Sequence, residues 1–206
     1  MKATGHSIIG IILAAGASER MGSPKANLET AGGETLLDLQ RRLLVSSGCE
    51  GVIAVVGADA AAIRERNSSL DVKWIENSGW RDGQFSSLVR GIEGAIEQGA
   101  SGAVVLPVDS AGVRGEVVAS LIETALRNPH LDAVVPEHEG RRGHPVWLSR
   151  NFCESLAALD PKDSSSRLDA RLKESRRTIY LPVGDPNICR NINTPDDWKE
   201  FEKIRP

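Results

Sequence analysis

Ser7-Ile-Ile-Gly-Ile-Ile-Leu13 is a short, β-branched and nearly continuous apolar run, and Ala14-Ala-Gly-Ala-Ser-Glu-Arg-Met-Gly-Ser-Pro-Lys25 behind it is small, polar and charged. A run without polar alternation suits a strand buried on both faces of a parallel sheet. In open α/β sheets ligands bind outside the carboxyl ends of the strands, so the segment behind the run is a candidate binding loop. Its small residues at 14 to 17 let a backbone approach a ligand closely, its N–H groups suit phosphate, and Arg20 and Lys25 add two cations. A Gly-rich surface turn has the same composition. Five residues separate Gly16 from Gly22, and Ser-Pro-Lys follows. The P-loop spacing Gly-x4-Gly-Lys-Ser/Thr is therefore not met, and neither is Gly-x-Gly-x-x-Gly.

Outward from this strand the pattern alternates. Leu36 to Ser47 carries a helical stripe (Leu36, Leu37, Leu39, Leu43, Leu44), with Gly48 where a capping glycine belongs. Strands are expected at Gly51 to Val56, Val72 to Ile75, Gly102 to Val108, Asp132 to Val135 and Pro145 to Leu148. Helices are expected at Asp59 to Arg66, Asp82 to Gln98 and Gly115 to Arg127. Alternation of this kind implies parallel pairing, one doubly wound, mostly parallel α/β sheet, and one domain over residues 1–206. Asp160 to Arg167 reads as a mobile loop. The closing Asn191-Ile-Asn-Thr-Pro-Asp-Asp-Trp198 reads as a helix start, with Asn193 or Thr194 as cap, Pro195 in the first turn, and Trp198 and Phe201 turned inward.

Composition narrows the class. The chain has 206 residues, 40% hydrophobic and 26% charged, enough for an ordinary core. Twenty glycines and only 4% aromatic residues hint at tight turns and a core of Val, Ile, Leu and Ala. A formal net charge of −3 argues against binding a nucleic acid polymer. No apolar run approaches the ~20 residues of a membrane span. Cys49, Cys153 and Cys189 are odd in number and far apart, which disfavours a disulfide framework or a zinc ribbon. The N-terminal residues lack the pattern of a secretory signal, so a cytoplasmic location is expected.

Two further segments carry candidate chemistry. Leu106-Pro-Val-Asp109 puts a carboxylate at the carboxyl end of a strand, where it suits Mg²⁺ beside phosphates. A solvated turn aspartate or a cap fits as well. Asn77 to Leu88 enters a helix with Ser86 and Ser87, whose hydroxyls suit a base or sugar, or equally a helix cap.

Together these residues carry a resemblance. Leu13-Ala-Ala-Gly-Ala-Ser-Glu-Arg-Met-Gly-Ser-Pro-Lys25 is similar to the Leu-Ala-Ala-Gly-x-Ser-x-Arg-Met-Gly-x-Pro-Lys motif of the MobA-like NTP transferase family, which are nucleotidyltransferases of Rossmann-like fold. It most resembles the molybdopterin (molybdenum cofactor) cytidylyltransferase branch. Asn77-x-x-Trp80-x-x-Gly83 with Ser86-Ser87-Leu88 and Gly91, Leu106-Pro-Val-Asp109, Gly140-Arg-Arg-Gly-His-Pro-Val146 and Thr194-Pro195-x-Asp197 resemble further family segments. The likeness covers about residues 8 to 200.

The resemblance implies Mg²⁺-dependent transfer of CMP, or another NMP, from an NTP to a phosphorylated acceptor such as molybdopterin, with release of pyrophosphate. It implies catalytic roles for Arg20, Lys25 and Asp109, and nucleotide contacts from Leu13, Ala14, Ala15, Gly16, Gly83 and Ser87. Acceptor contacts fall to Arg142, Gly143 and His144, and metal ligation to Asp109 and Asn193. His144 serves equally as a structural turn histidine. The likeness also leaves room for a partner enzyme on the acceptor side.

Two departures stand out. The family usually has x-Pro after the aspartate, where this chain has Ser110-Ala111-Gly112. The branch often closes with Asp-Ile-Asp-Thr-Pro, where this chain reads Asn191-Ile-Asn-Thr-Pro195. The first loosens the metal-side loop. The second replaces charged ligands by amides and resembles the guanylyltransferases, which blurs CTP against GTP; the Ala-Ala-Gly and Pro-Lys25 forms of the first loop favour CTP. A sugar- or polyol-phosphate nucleotidyltransferase shares the motif. A catalytically silent nucleotide-binding or chaperone-like module is the reading from another class.

Overall fold

The computed structural model describes residues 7–163 and 165–204. At its centre lies β1 (Ile8–Ala14), with all seven residues buried. It pairs in parallel with β2 (Gly51–Val56) on one side and with β4 (Gly102–Pro107) on the other. Its side chains alternate between two apolar layers, as the period of two requires. Ile8, Ile12 and Ala14 face the layer built by α1 (Leu36–Ser46), α4 (Gly115–Arg127) and α7 (Pro195–Ile204). Ile9, Ile11 and Leu13 face α3 (Gln84–Glu97), α5 (Arg150–Ala157) and α6 (Leu168–Glu174). Both faces and both edges being covered explains why this stretch shows no polar alternation.

β3 (Lys73–Glu76) extends the parallel part beyond β2, joined to it through α2 (Ala60–Arg66). Beyond β4 the sheet changes character. β7 (Val146–Ser149) lies between β4 and β5 (Ala133–His138) and runs antiparallel to both. A short β6 (Arg141–Arg142) pairs antiparallel with β5, and β8 (Thr178–Pro182) pairs with it in parallel. The path through the eight-stranded sheet is β3-β2-β1-β4-β7-β5-β6, with β8 on β5. The fold is thus the expected α/β architecture with a mostly parallel sheet, in which β6 and β7 are the antiparallel members. No helix separates β5 from β7; the chain turns back through β6, and such a return produces antiparallel neighbours.

One expected boundary shifts. The helix anticipated from Asp82 is interrupted: Trp80–Asp82 form a 3₁₀ turn, Gly83 takes a φ of 101°, and α3 starts at Gln84. Gly91 and Gly94 then bring α3 close to the sheet, since a Cβ on them would lie 2.5 Å from Ile11 and 2.1 Å from Ile75. The stretch 160–167 holds no helix or strand among its described residues, and Ser164, which the expected loop includes, lies outside them. Thr194 takes the capping role before α7: its Oγ1 accepts from Asp197 N at 3.2 Å, and Trp198 and Phe201 are buried. Among the described residues no helix is long and apolar enough to cross a membrane.

Candidate active site

The parallel register sets Leu13 opposite Pro107, and Val108 N donates to Leu13 O at 3.0 Å. The ends of β1 and β4 therefore lie side by side, which brings together the loop after β1 and Asp109. The loop folds back through a 3₁₀ turn at Lys25–Asn27, and Lys25 N donates to Ser18 Oγ at 3.1 Å. The Lys25 ammonium then reaches across the sheet ends. Its Nζ lies 2.8 Å from Asp109 Oδ2 and 2.9 Å from Asn193 Oδ1. Three residues 84 and 168 positions apart thus meet at one point.

Asn193 is held from the α7 side. The Asp197 carboxylate accepts from the N–H groups of Asn193 and Thr194 at 2.9 and 2.8 Å. These bonds, the Asn193 N–H first, keep the Asp197 carboxyl below the usual carboxylate range.

This cluster lines a cleft of about 800 Å³. Leu13 to Gly16, Gly83 and Ser87 line it, as does the exposed Arg20. Ser86 is engaged elsewhere. Asn77 Nδ2 donates to both Ser86 Oγ and Ser87 Oγ, at 2.9 and 3.0 Å, and Ser86 Oγ donates to Gly83 O at 2.7 Å. Asn77 and Ser86 thereby shape the turn before α3, while Ser87 remains on the cleft wall.

A second cleft, of about 1060 Å³, adjoins the first, and Leu13, Gly83 and Gln84 line both. Arg142, Gly143 and His144 lie on its wall. Main-chain bonds fix that wall: Gly143 N donates to Pro136 O at 3.1 Å and His144 N to Ile188 O at 2.9 Å. Only glycine fits at 143, because a Cβ there would lie 2.1 Å from Ile188 O. The Arg142 guanidinium stacks 3.7 Å from the centre of the Tyr180 ring. His144 Nδ1 is buried without a hydrogen-bond partner. Burial lowers the imidazole's pKa below its ordinary 6.5, against the opposing pull of the Asp109 charge.

All the site residues expected from the sequence therefore line one cleft or the other. Trp80, Arg81 and Gln84 on the first and Arg167, Tyr180 and Asn191 on the second were not singled out as contacts. Arg167 and Tyr180 come from a part of the chain whose short elements give weak sequence signals, and no motif marks them. The three cysteines are free, and burial pushes the thiols of Cys49 and Cys153 up to about 12.

The donor set fits a small divalent cation. One carboxylate oxygen and one amide oxygen converge on a point already taken by a cationic ammonium, and Mg²⁺ characteristically takes one or two protein oxygens and fills its shell with phosphate and water. Among the described residues there is no cluster of three or more His, Cys, Asp or Glu that would cage a metal without a substrate.

Comparison with known proteins identifies the family. The "Probable molybdenum cofactor guanylyltransferase" of Mycobacterium ulcerans (strain Agy99) is 28% identical over 93% of this chain and 91% of that protein. The "Nicotine blue oxidoreductase" of Paenarthrobacter nicotinovorans is 29% identical over 81% of this chain and 82% of that protein. Rv0371c from Mycobacterium tuberculosis H37Rv, in a crystal structure with manganese, superposes with a TM-score of 0.73 at 21% identity, over 97% of this chain and 100% of that one. The family model described as "MobA-like NTP transferase domain" matches residues 10–176, and the chain belongs to that family of nucleotidyltransferases.

Proposed function

We propose that the chain transfers a nucleoside monophosphate from an NTP to a phosphorylated small-molecule acceptor. The acceptor phosphate oxygen forms a bond to the α-phosphorus, the bond from that phosphorus to the bridging oxygen breaks, and pyrophosphate leaves with the electron pair. The convergence of Lys25 on Asp109 and Asn193 in the lining of a cleft of about 800 Å³ carries this reading. Reactions of this type need positioning and charge neutralisation more than covalent help from the protein.

Lys25 and Arg20 neutralise the triphosphate. Asp109 and Asn193 would hold a divalent ion, Mg²⁺, which would supply charge stabilisation on the phosphate oxygens. The main chain of Leu13, Ala14, Ala15 and Gly16 holds the nucleoside against Gly83 and Ser87. The second cleft takes the acceptor, oriented by Arg142, Gly143 and His144, and the shared wall at Leu13, Gly83 and Gln84 brings the two reactants together.

For the donor base we infer cytosine from the Ala-Ala-Gly form of the first loop, and for the acceptor a molybdopterin-like phosphate. The names of several relatives support GTP as a second reading of the donor. The oxidoreductase name of one relative points to redox chemistry, but hydride transfer has no need of a metal-holding carboxylate and amide pair.

The test is pyrophosphate release with each of the four NTPs, Mg²⁺ or Mn²⁺, and molybdopterin or sugar phosphates as acceptors. Release should require both an NTP and an acceptor, with CTP preferred. Lys25→Ala and Asp109→Ala should each lower turnover about a hundred- to a thousandfold while staying folded. Undiminished turnover in either would remove that residue from the mechanism.

A further inference from the structure

Asp109 is followed by Ser110-Ala111-Gly112, a small-residue stretch with much backbone freedom to lose on folding. Yet the structure pins this segment on both sides of the aspartate. Gln40 lies on α1 and is only 3% exposed, next to the buried side chains of Leu36, Leu37 and Leu44. Its Nε2 donates to Val108 O at 3.3 Å and to Ser110 O at 2.8 Å, the carbonyls just before and just after Asp109. A buried amide in apolar company is tolerated where its hydrogens are satisfied, and both of these go to one stretch of main chain. The far side of the segment is tied as well. Asp109 O accepts from Ile192 N at 2.8 Å, and Ser110 Oγ donates to Asn191 Oδ1 at 3.1 Å.

We propose that Gln40 is a positioning residue for the metal-binding carboxylate. By gripping the carbonyls that flank Asp109, it stops the backbone there from turning and aims the carboxylate at the point where Asn193 Oδ1 converges. Gln40 thus supplies, from another helix, the rigidity that a proline after the aspartate would give. The proposal rests on the reading of Asp109 as a metal ligand. Residues that hold a ligand from behind typically affect metal affinity 10–100-fold.

The experiment is a titration of the full chain with Mn²⁺ in the presence of saturating CTP, with GTP in a parallel series and no acceptor, followed by electron paramagnetic resonance, on wild type, Gln40→Met and Asp109→Asn. Methionine keeps the bulk of Gln40 and removes both donors. Gln40→Met should bind Mn²⁺ about tenfold more weakly with its circular dichroism unchanged, and Asp109→Asn should lose the site. If Gln40→Met does not fold, Gln40→Asn, whose amide is too short to span both carbonyls, takes its place with the same expected weakening. Wild-type affinity in the folded Gln40 variant overturns the positioning role while leaving Asp109 as a ligand. Wild-type affinity in Asp109→Asn, or no binding by wild type, instead removes the ligand assignment beneath it.

Discussion

The Lys25 ammonium lies 2.8 Å from Asp109 and 2.9 Å from Asn193, on the two oxygens that in the proposed mechanism would hold the metal; on that proposal the lysine would turn towards the triphosphate once metal and nucleotide bind. Gly57 shows how closely the nucleotide loop is backed. A Cβ there would lie 2.8 Å from both Ala15 O and Trp80 Cβ. Gly57→Ala is therefore expected to cost about 1–3 kcal/mol of stability by overpacking and to raise the KM for the NTP more than that for the acceptor. Chemical denaturation and steady-state kinetics measure the two effects. Most single residues on the donor side were legible because they sit in one contiguous motif. Gln40 was not, since one polar residue within a leucine stripe is indistinguishable in sequence from an ordinary surface position on the helix.

Among the elements, α7 matters most to the site, because Asn193, two residues ahead of its first residue Pro195, is tied by its N–H to Asp197 in the first turn. Thr194 Oγ1 accepts from Asp197 N, and the Asp197 carboxylate reaches back to the N–H groups of Asn193 and Thr194, so each end of the turn satisfies the other. Thr194→Ala should cost about 1 kcal/mol, read from urea unfolding, and Thr194→Ser should recover most of it. The bounds of α4 and β2 and the start of α7 could be read from the sequence because each combines a clear period with a cap or a glycine boundary. β7 could be recognised as a strand, but its direction is set by the tight return through β6 rather than by its own residues. α6 and β8 escaped detection for a physical reason: among the seven residues of α6 only Leu172 is buried, and no residue of β8 is fully buried. The stripe of Phe152, Cys153 and Leu156 behind the capping Ser149 was a usable signal for α5, since Ser149 Oγ accepts from Phe152 N at 3.2 Å.

The whole molecule couples an acidic exterior to a locally cationic cleft: a net charge of −3 coexists with Lys25, Arg20 and Arg142 around the two clefts. Protonation of His144 reports on the packing of that region. Burial holds its folded-state pKa below 6.5, so below that pH the unfolded chain binds the proton more readily. The stability contributed is fully present above pH 6.5 and is lost as the pH falls through the window beneath it. The depressed carboxylates, Asp197 among them, lose their contribution only below their ordinary 3.8. Thermal midpoints between pH 8 and pH 5 should therefore fall for wild type and fall less for His144→Gln. The most direct test of nucleotidyl transfer across the two adjoining clefts follows the α-phosphorus itself. With CTP labelled at the α-phosphate, a divalent metal and molybdopterin, the label should move to the acceptor in a one-to-one ratio with pyrophosphate released. Label that stays on CTP, and likewise on GTP, or that appears only as free CMP, would contradict it.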